Sequence, residues 1–409
     1  MSDPQNPLSG VVYPGVYVEE VLYRARSIEG VGTTTTGFVG TAASGPVGTV
    51  SELLTSYDDF KAIYGEADTI TYASGEIQKS YLAHAVASFF VNGGKRLYVV
   101  RMADERGANT IPPTATDYAR ALEALAAIEE IAIVAAPGGS VAGDVGPVHD
   151  ALIAHVSRDR AYCFAVLDPP AGATITDVKA VRARLDCKNA ALYYPWITVL
   201  APSAPTRRPL PPLKPQPLLK KTINVPPSGA ICGIYSRSDI ERAVFKAPAN
   251  EVINDAVGFE VVLTDGENEV LNPLGINCLR NFAGRGNRVW GARTVSSDAE
   301  WKYVNVRRYM LYLERSMDVG TQWVVFEPNS ERLWAQVLAA VENFLFDEWR
   351  SGALQGMKPE EAYFVKCDRT TMTQNDIDNG RLIVEIGFAP LKPAEFVILR
   401  IGQWTCRDC

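Results

Sequence analysis

Between residues 118 and 200 the sequence alternates between two periodicities, and that alternation restricts the fold more than any other feature. Apolar residues at helical spacing predict helices over 118–128, 148–156 and 177–185, while short apolar runs predict strands over 131–136, 162–167 and 190–200. Helix and strand in turn imply parallel pairing with helices packed on the sheet. The strand ends carry APGG (136–139) and DPP (168–170), where an open α/β sheet places a ligand. Neither brings a matched catalytic set. The histidines are His84, His149 and His155, and no Gly-x-Ser-x-Gly elbow accompanies them. His149 and His155 are six apart, which does not stack them on one helical face for a metal. Asp168 before two prolines reads as a turn residue, and His84 as a core or boundary histidine.

The flanking sequence is less regular. A short strand is expected near the start, where Val16 and Val18 alternate with Tyr17 and Val21. Residues 30–40 are glycine-interrupted and β-branched, without the GK[ST] of a phosphate loop. Helices follow over 56–64 and 75–93, the second stopped by Asn92-Gly93-Gly94, and then a strand over 95–101. Residues 202–228 hold five basic residues, no acid and many prolines, and read as an extended, solvated positive loop. A buried strand is expected over 229–235 and a glycine-loosened turn into a strand over 281–294. Two long helices follow, over 301–317 and from the Asn329-Ser330-Glu331 cap to Trp349. Beyond them 356–366 reads as a turn leading to a strand.

The last stretch, 380–403, contains two strand-like runs, 382–388 and 395–401, joined by Ala-Pro-Leu-Lys-Pro. Prolines cannot donate to a ladder, and this is not hairpin chemistry, so the second run travels away from the first. Phe396, Val397, Ile398, Leu399 and Ile401 populate both faces of that run, which therefore needs another sheet to cover it. Ordering six arm residues costs about 1–2 kcal/mol each. Burying four or five apolar side chains returns roughly 1.5–3 kcal/mol each. The two nearly cancel, so durable docking requires several arms engaged together.

Of 409 residues, 47% are hydrophobic and 21% charged, which suits two or more domains with sizeable cores. A net charge of −7 argues against wholesale nucleic-acid binding. No run of eighteen apolar residues appears, and MSDPQNPLSG lacks the basic and apolar regions of a secretory signal, so synthesis and folding in the cytoplasm without membrane insertion are expected. The seven cysteines are mostly isolated in apolar surroundings, as reduced core residues are. Only Cys406 and Cys409 have a ligand-like spacing, and no second pair lies nearby. The expectation is no enzyme, no cofactor and no metal. An α/β hydrolase-like or nucleotide-binding enzyme and a non-contractile filament protein are the alternatives.

A set of short motifs spans the chain: YPGVYVEE (13–20), GFVG (37–40) with Gly45-Pro46, FFVNGG (89–94) leading to YVVR (98–101), and VPPSG (225–229). They continue with WGART (290–294), FEPN (326–329), GALQG (352–356) and APLKPAEF (389–396). In this order they resemble the contractile phage tail sheath family. The resemblance implies an α/β (α+β mixed) chain: an N-terminal extended arm (1–30), a central α/β domain (31–275) with the basic loop 202–228, a C-terminal α+β domain (276–394) and a C-terminal strand arm (395–409). It implies six-fold rings stacked into a helical sleeve that contracts around an inner tube, with arms exchanged between neighbouring subunits. Partners implied are the chain itself, the inner tube protein, and baseplate and tail-terminator or cap proteins, in a phage tail or an injection particle assembled in the bacterial cytoplasm. Arg350, Gln355 and Lys358 are the expected tube-facing residues. The basic insert and the CRDC tail have no counterpart in the resemblance.

Overall fold

The computed structural model describes residues 27–66, 69–72, 75, 77–102, 113–139, 145–201, 221–396 and 398. Strand β1 (Thr36–Gly40) is wholly buried. Helix α1 (Tyr57–Tyr64) follows, opened by reciprocal bonds in which Asp59 N donates to Ser56 Oγ at 3.2 Å and Ser56 N to Asp59 Oδ2 at 2.9 Å. Strands β2 (Thr69–Thr71) and β3 (Ile77–Lys79) pair with each other and lead into α2 (Tyr81–Val91) and β4 (Leu97–Arg101). The predicted alternation then appears as α3 (Ala115–Leu125), β5 (Ile133–Ala135), α4 (Gly146–Val156), β6 (Phe164–Leu167), α5 (Ile175–Ala183) and β7 (Ala190–Tyr194). Next come β8 (Ile197–Leu200), β9 (Thr222–Val225), α6 (Ser228–Arg242), β10 (Ala256–Phe259) and α7 (Asp265–Leu271). The chain continues through β11 (Ile276–Phe282), β12 (Gly286–Trp290), α8 (Val304–Gly320), α9 (Glu331–Arg350), α10 (Pro359–Ala362), β13 (Tyr363–Lys366), α11 (Gln374–Asp378) and β14 (Glu385–Phe388).

The main sheet has the order β12-β11-β7-β6-β5-β1-β4, parallel except for β12 at the edge. Its residues alternate between two apolar layers. Phe38, Val99, Ile133, Phe164 and Tyr193 face α2 and α6, while Val39, Val100, Val134, Ala165 and Leu192 face α3, α4 and α5. A third core forms where α8, α9, β13 and β14 meet, and Ile28 of the incoming chain packs into it. Helix α8 joins the cores, burying Val304 and Leu311 towards the sheet and Tyr309 and Leu313 towards α9.

Four expectations are corrected. Residues 229–235, read as a strand, are the first half of α6. Gly229 and Gly233 lie one turn apart on the face that meets α2, where a Cβ on Gly229 would sit 2.5 Å from the carbonyl oxygen of Ala85 and one on Gly233 would strike that of Phe89. The run is apolar all round because this helix is buried all round, which erases the periodicity that separates helix from strand. Residues 190–200 are two strands: Pro195 has no N–H for the ladder, and beyond it β8 leaves the main sheet to pair with β9 and β10. The same pairing makes 222–225 a strand and Ser228 a helix start, so the extended basic loop does not run through to 228; residues 202–220 lie outside the described residues.

Asp168 is the fourth. Read as a turn residue, it is buried just past the end of β6, where it accepts Ser228 N at 2.8 Å and Ser228 Oγ at 2.6 Å and so holds the start of α6. Burial pushes its carboxyl up to about 7, against the two hydrogen bonds from Ser228 that pull it down. The sheet edge where a ligand was conceivable is therefore filled by a helix start.

Candidate assembly surface

The linker 389–393 was read as a path away from β14, and the geometry shows how that path is fixed. Strand β14 pairs only with β13, an antiparallel two-stranded sheet among the described residues. The chain is then tied down step by step: Ala389 N donates to Ala362 O and Gln355 N to Ala389 O, both at 2.8 Å. Asn305 Nδ2 donates to Leu391 O at 3.2 Å and to Phe245 O at 2.8 Å.

The last tie is the strongest. The Glu395 carboxylate receives Arg293 Nε at 2.8 Å and Arg293 Nη2 at 2.5 Å, a two-pronged pair, with Tyr303 OH at 3.3 Å and Lys302 Nζ at 3.9 Å. Arg293 is itself locked: its N–H donates to Asn277 Oδ1 at 2.7 Å, its carbonyl accepts Asn277 Nδ2 at 2.7 Å, and its Nη1 donates to Asn272 O at 2.9 Å. Burial alone would raise the Glu395 carboxyl, but the bonds and charges of Arg293 and Lys302 outweigh it and hold the group below the usual carboxylate range. Immediately beyond this root the apolar side chains turn outward, with Phe396 75% and Ile398 79% exposed and without a ladder partner.

Of the expected arm residues, Phe396 and Ile398 are described, and both are exposed. Val16, Tyr17, Val18, Val21, Val397, Leu399 and Ile401 lie outside the described residues, as do Cys406 and Cys409. Arg293, Lys302, Tyr303 and Asn305, which build the root, were missed; the available signal was a lone carboxylate, Glu395, opening an otherwise apolar strand-like run. Two motifs a hundred residues apart, WGART and APLKPAEF, meet at this single ion pair.

Arg350, Gln355 and Lys358 are brought to one exposed rim, the turn between α9 and α10. Arg350 pairs with Asp347 at 3.1 Å, Lys358 precedes α10, and Trp349 Nε1 braces the turn through Gly356 O at 3.1 Å.

Ser228, Asp168 and His149 do converge, yet in an order that activates nothing. The Ser228 hydroxyl donates to the carboxylate, and His149 Nε2 meets the main-chain carbonyl of Asp168 at 2.9 Å, all within the buried interior. His155 is buried too, and its imidazole is driven down to about 4 by that burial and by Arg158. The five described cysteines are buried thiols. Among the described residues no His, Cys, Asp and Glu cluster fits a metal, and no helix is long and apolar enough to cross a membrane.

Comparison with known proteins gives the class first. The fold is shared with sheaths of contractile tail-like particles. The anti-feeding prophage helical sheath in the contracted state is 30% identical, covered over 96% of this chain and 99% of that one with a TM-score of 0.75. A chain of the six-fold symmetrised anti-feeding prophage baseplate is 31% identical over 96% and 99%, with a TM-score of 0.72. A protein described as a prophage major tail sheath protein of Pseudomonas aeruginosa (strain UCBPP-PA14) is 23% identical over 84% of this chain and 80% of its own length. Residues 112–295 match the phage tail sheath protein central domain and residues 296–403 the phage tail sheath C-terminal domain. The chain belongs to the phage tail sheath family.

Proposed function

We propose that this chain is a sheath subunit that stacks as six-fold rings into a helical sleeve around an inner tube and shortens to drive the tube through a target envelope. The observation that carries the reading is the root at Arg293 and Glu395. It fixes the exit of the C-terminal arm while leaving Phe396 and Ile398 uncovered, as a strand destined for another subunit requires. Strands β13 and β14 support an acceptor role, since a two-stranded sheet is marginal alone and gains from an added strand. The body is built to move as a unit, because α8 knits the third core to the main sheet. Contraction then proceeds by rigid-body rotation from a kinetically trapped extended lattice, with arms still paired and no nucleotide consumed.

In this reading the arms are 1–30 and 395–409, flanking a central domain that runs past 275 to take in β11 and β12 of the main sheet, and a C-terminal domain to 394. The role is structural and not enzymatic. The six-fold baseplate chain and the helical sheath that resemble this protein support association with itself and with a baseplate. Arg350, Gln355 and Lys358 meet an acidic tube surface, and a terminator or cap protein closes the sleeve. The subunit is made and assembled in the bacterial cytoplasm. Negative-stain microscopy of the full chain beside a truncation ending at Pro393, each alone and with tube and baseplate proteins, tests it. Hollow six-fold sleeves from the full chain only are expected; sleeves from both remove the arm, and sleeves from neither remove the sheath role.

A further inference from the structure

The chain ahead of β1 forms no regular element over 27–31, yet one residue of it is buried. Ser27, Glu29 and Gly30 are exposed, whereas Ile28 is 7% exposed and packs into the third core. Its socket is cut by a glycine. A Cβ on Gly320, the last residue of α8, would lie 2.6 Å from Ile28 Cγ2, so a larger residue there would expel the isoleucine. Gly30 makes the reciprocal allowance, since a Cβ on it would strike the Tyr312 hydroxyl, which donates to Glu348 Oε1 at 2.8 Å. Val31 N then donates to Ser316 Oγ at 3.1 Å, and that hydroxyl donates to Tyr312 O at 2.7 Å. The segment is thus fitted against the C-terminal end of α8.

Strand β1 does not need these ties. It is already held from Thr33 onward: Thr33 Oγ1 donates to Asp239 Oδ2 at 2.6 Å, Arg308 Nη2 to Thr33 O at 3.1 Å and Ser236 Oγ to Thr34 O at 3.1 Å. The contacts at 28–31 lie upstream of that node, and what they settle is the place from which residues 1–26 set out. The other end of the same helix settles the corresponding place for the C-terminus. There Tyr303 OH donates to Glu395 Oε2 at 3.3 Å and Asn305 Nδ2 to Leu391 O at 3.2 Å. From Asn305 to Ser316 the helix rises roughly 16 Å, at about 1.5 Å per residue. Its middle is clamped by Arg308 on Asp239 and by Tyr309 OH on Glu348 Oε2 at 3.0 Å, so its two ends move together.

We propose that Ile28 is the root of the N-terminal arm, and that α8 is a spar carrying both arm roots of one subunit at a fixed spacing. The inference rests on the sheath reading and narrows its N-terminal arm to the residues before Ile28. An arm freed from these ties hangs from Thr33 instead. The longer tether spreads its strand through a larger volume, and the loss multiplies over every arm engaged in the lattice.

The test uses the full chain with the tube and baseplate proteins of its particle, and reads thermal melts of the soluble chain and sleeve yield in negative stain. Ile28→Gly empties the socket and is expected to lower both. Adding Gly320→Leu refills the same space from the helix side: the melt is expected to return to the wild-type value, while sleeve yield stays lower by roughly tenfold or more. A third variant, Ile28→Cys with Gly320→Cys, ties the segment back covalently. Its Cβ atoms would stand 3.0 Å apart, about half an ångström inside the disulfide range, a shift that irregular chain can yield. Oxidised, it is expected to assemble like the wild type treated in the same way, and after reduction to fall as the refilled chain does. A refilled chain that assembles like the wild type makes Ile28 a core filler and overturns the proposal. So does a dicysteine chain whose sleeve yield is the same oxidised and reduced. A wild-type chain that forms no sleeve under any of these conditions instead removes the sheath reading on which the root depends.

Discussion

Two arginine–carboxylate pairs of similar geometry do different work in this molecule. Arg308 and Asp239, 3% and 2% exposed at the side chain, join α8 to α6 through bonds of 2.9 and 2.7 Å, while Arg308 also donates to Thr33 O at 3.1 Å and lies over the Tyr235 ring. Arg293 and Glu395, at 8% and 16%, sit at the rim, next to the exposed Phe396. The inner pair welds the incoming chain, the sheet layer and the third core into one body. The outer pair fixes a departure point. Burial sets the difference: an interior charge left alone has no water to turn to, whereas a rim charge has some.

That contrast can be broken by mutation. Arg308→Met strands the Asp239 carboxylate and is expected to cost about 3–5 kcal/mol in a denaturant melt; a loss below 1 kcal/mol would mean that the pair does not weld the body. Gly233→Val forces α6 off α2 and should cost about 1–3 kcal/mol by the same measurement. Glu395→Gln keeps the shape of the root but removes its charge, and we expect about 1 kcal/mol or less of global stability. Its signature is local instead: faster hydrogen exchange at the amides of 391, 392, 394 and 395, with α8 unchanged. Equal effects of Arg308→Met and Glu395→Gln on the global melt would erase the distinction.

Acid and base sharpen it further, because two buried-side carboxyls respond with opposite sign. Glu395 has a lowered value in the folded chain, so its contribution is present above the ordinary glutamate range and is lost as the pH falls through the folded value. Asp168 is raised to about 7, so the folded chain holds a proton that the unfolded chain has released. Its contribution is complete below about 4, the ordinary aspartate value, and disappears as the pH climbs through 7. Asp168→Asn should therefore flatten the loss of stability between pH 5 and pH 8, measured by thermal melts, while Glu395→Gln leaves that window alone.

The parts of the fold that show in the sequence are those whose environment is one-sided. Helix α1 was legible because Ser56 and Asp59 form a local cap, and the series α3 to β7 because helix and strand bury different faces at different periods. Helix α6 was not, since glycines that read as strand interruptions serve a close helix crossing, and a residue buried on every side has no period to read. The exposed apolar character of Phe396 and Ile398 was legible, because their run has no turn that would fold it back on a partner strand. Its root was not, because Arg293 and Glu395 are ordinary charges in sequence and become a pair only through the course of β11, β12 and the linker. Phe326 could be seen in FEPN, but only its φ of +69° shows that it stands in the left-handed region that favours glycine.

The most direct measurement is a cryo-EM reconstruction of the assembled particle in which residues 395–401 are traced. The account predicts that Glu395 stays on Arg293 of its own subunit while Phe396–Ile401 pairs with the sheet of a different copy. A trace in which those residues fold back on their own subunit would contradict it.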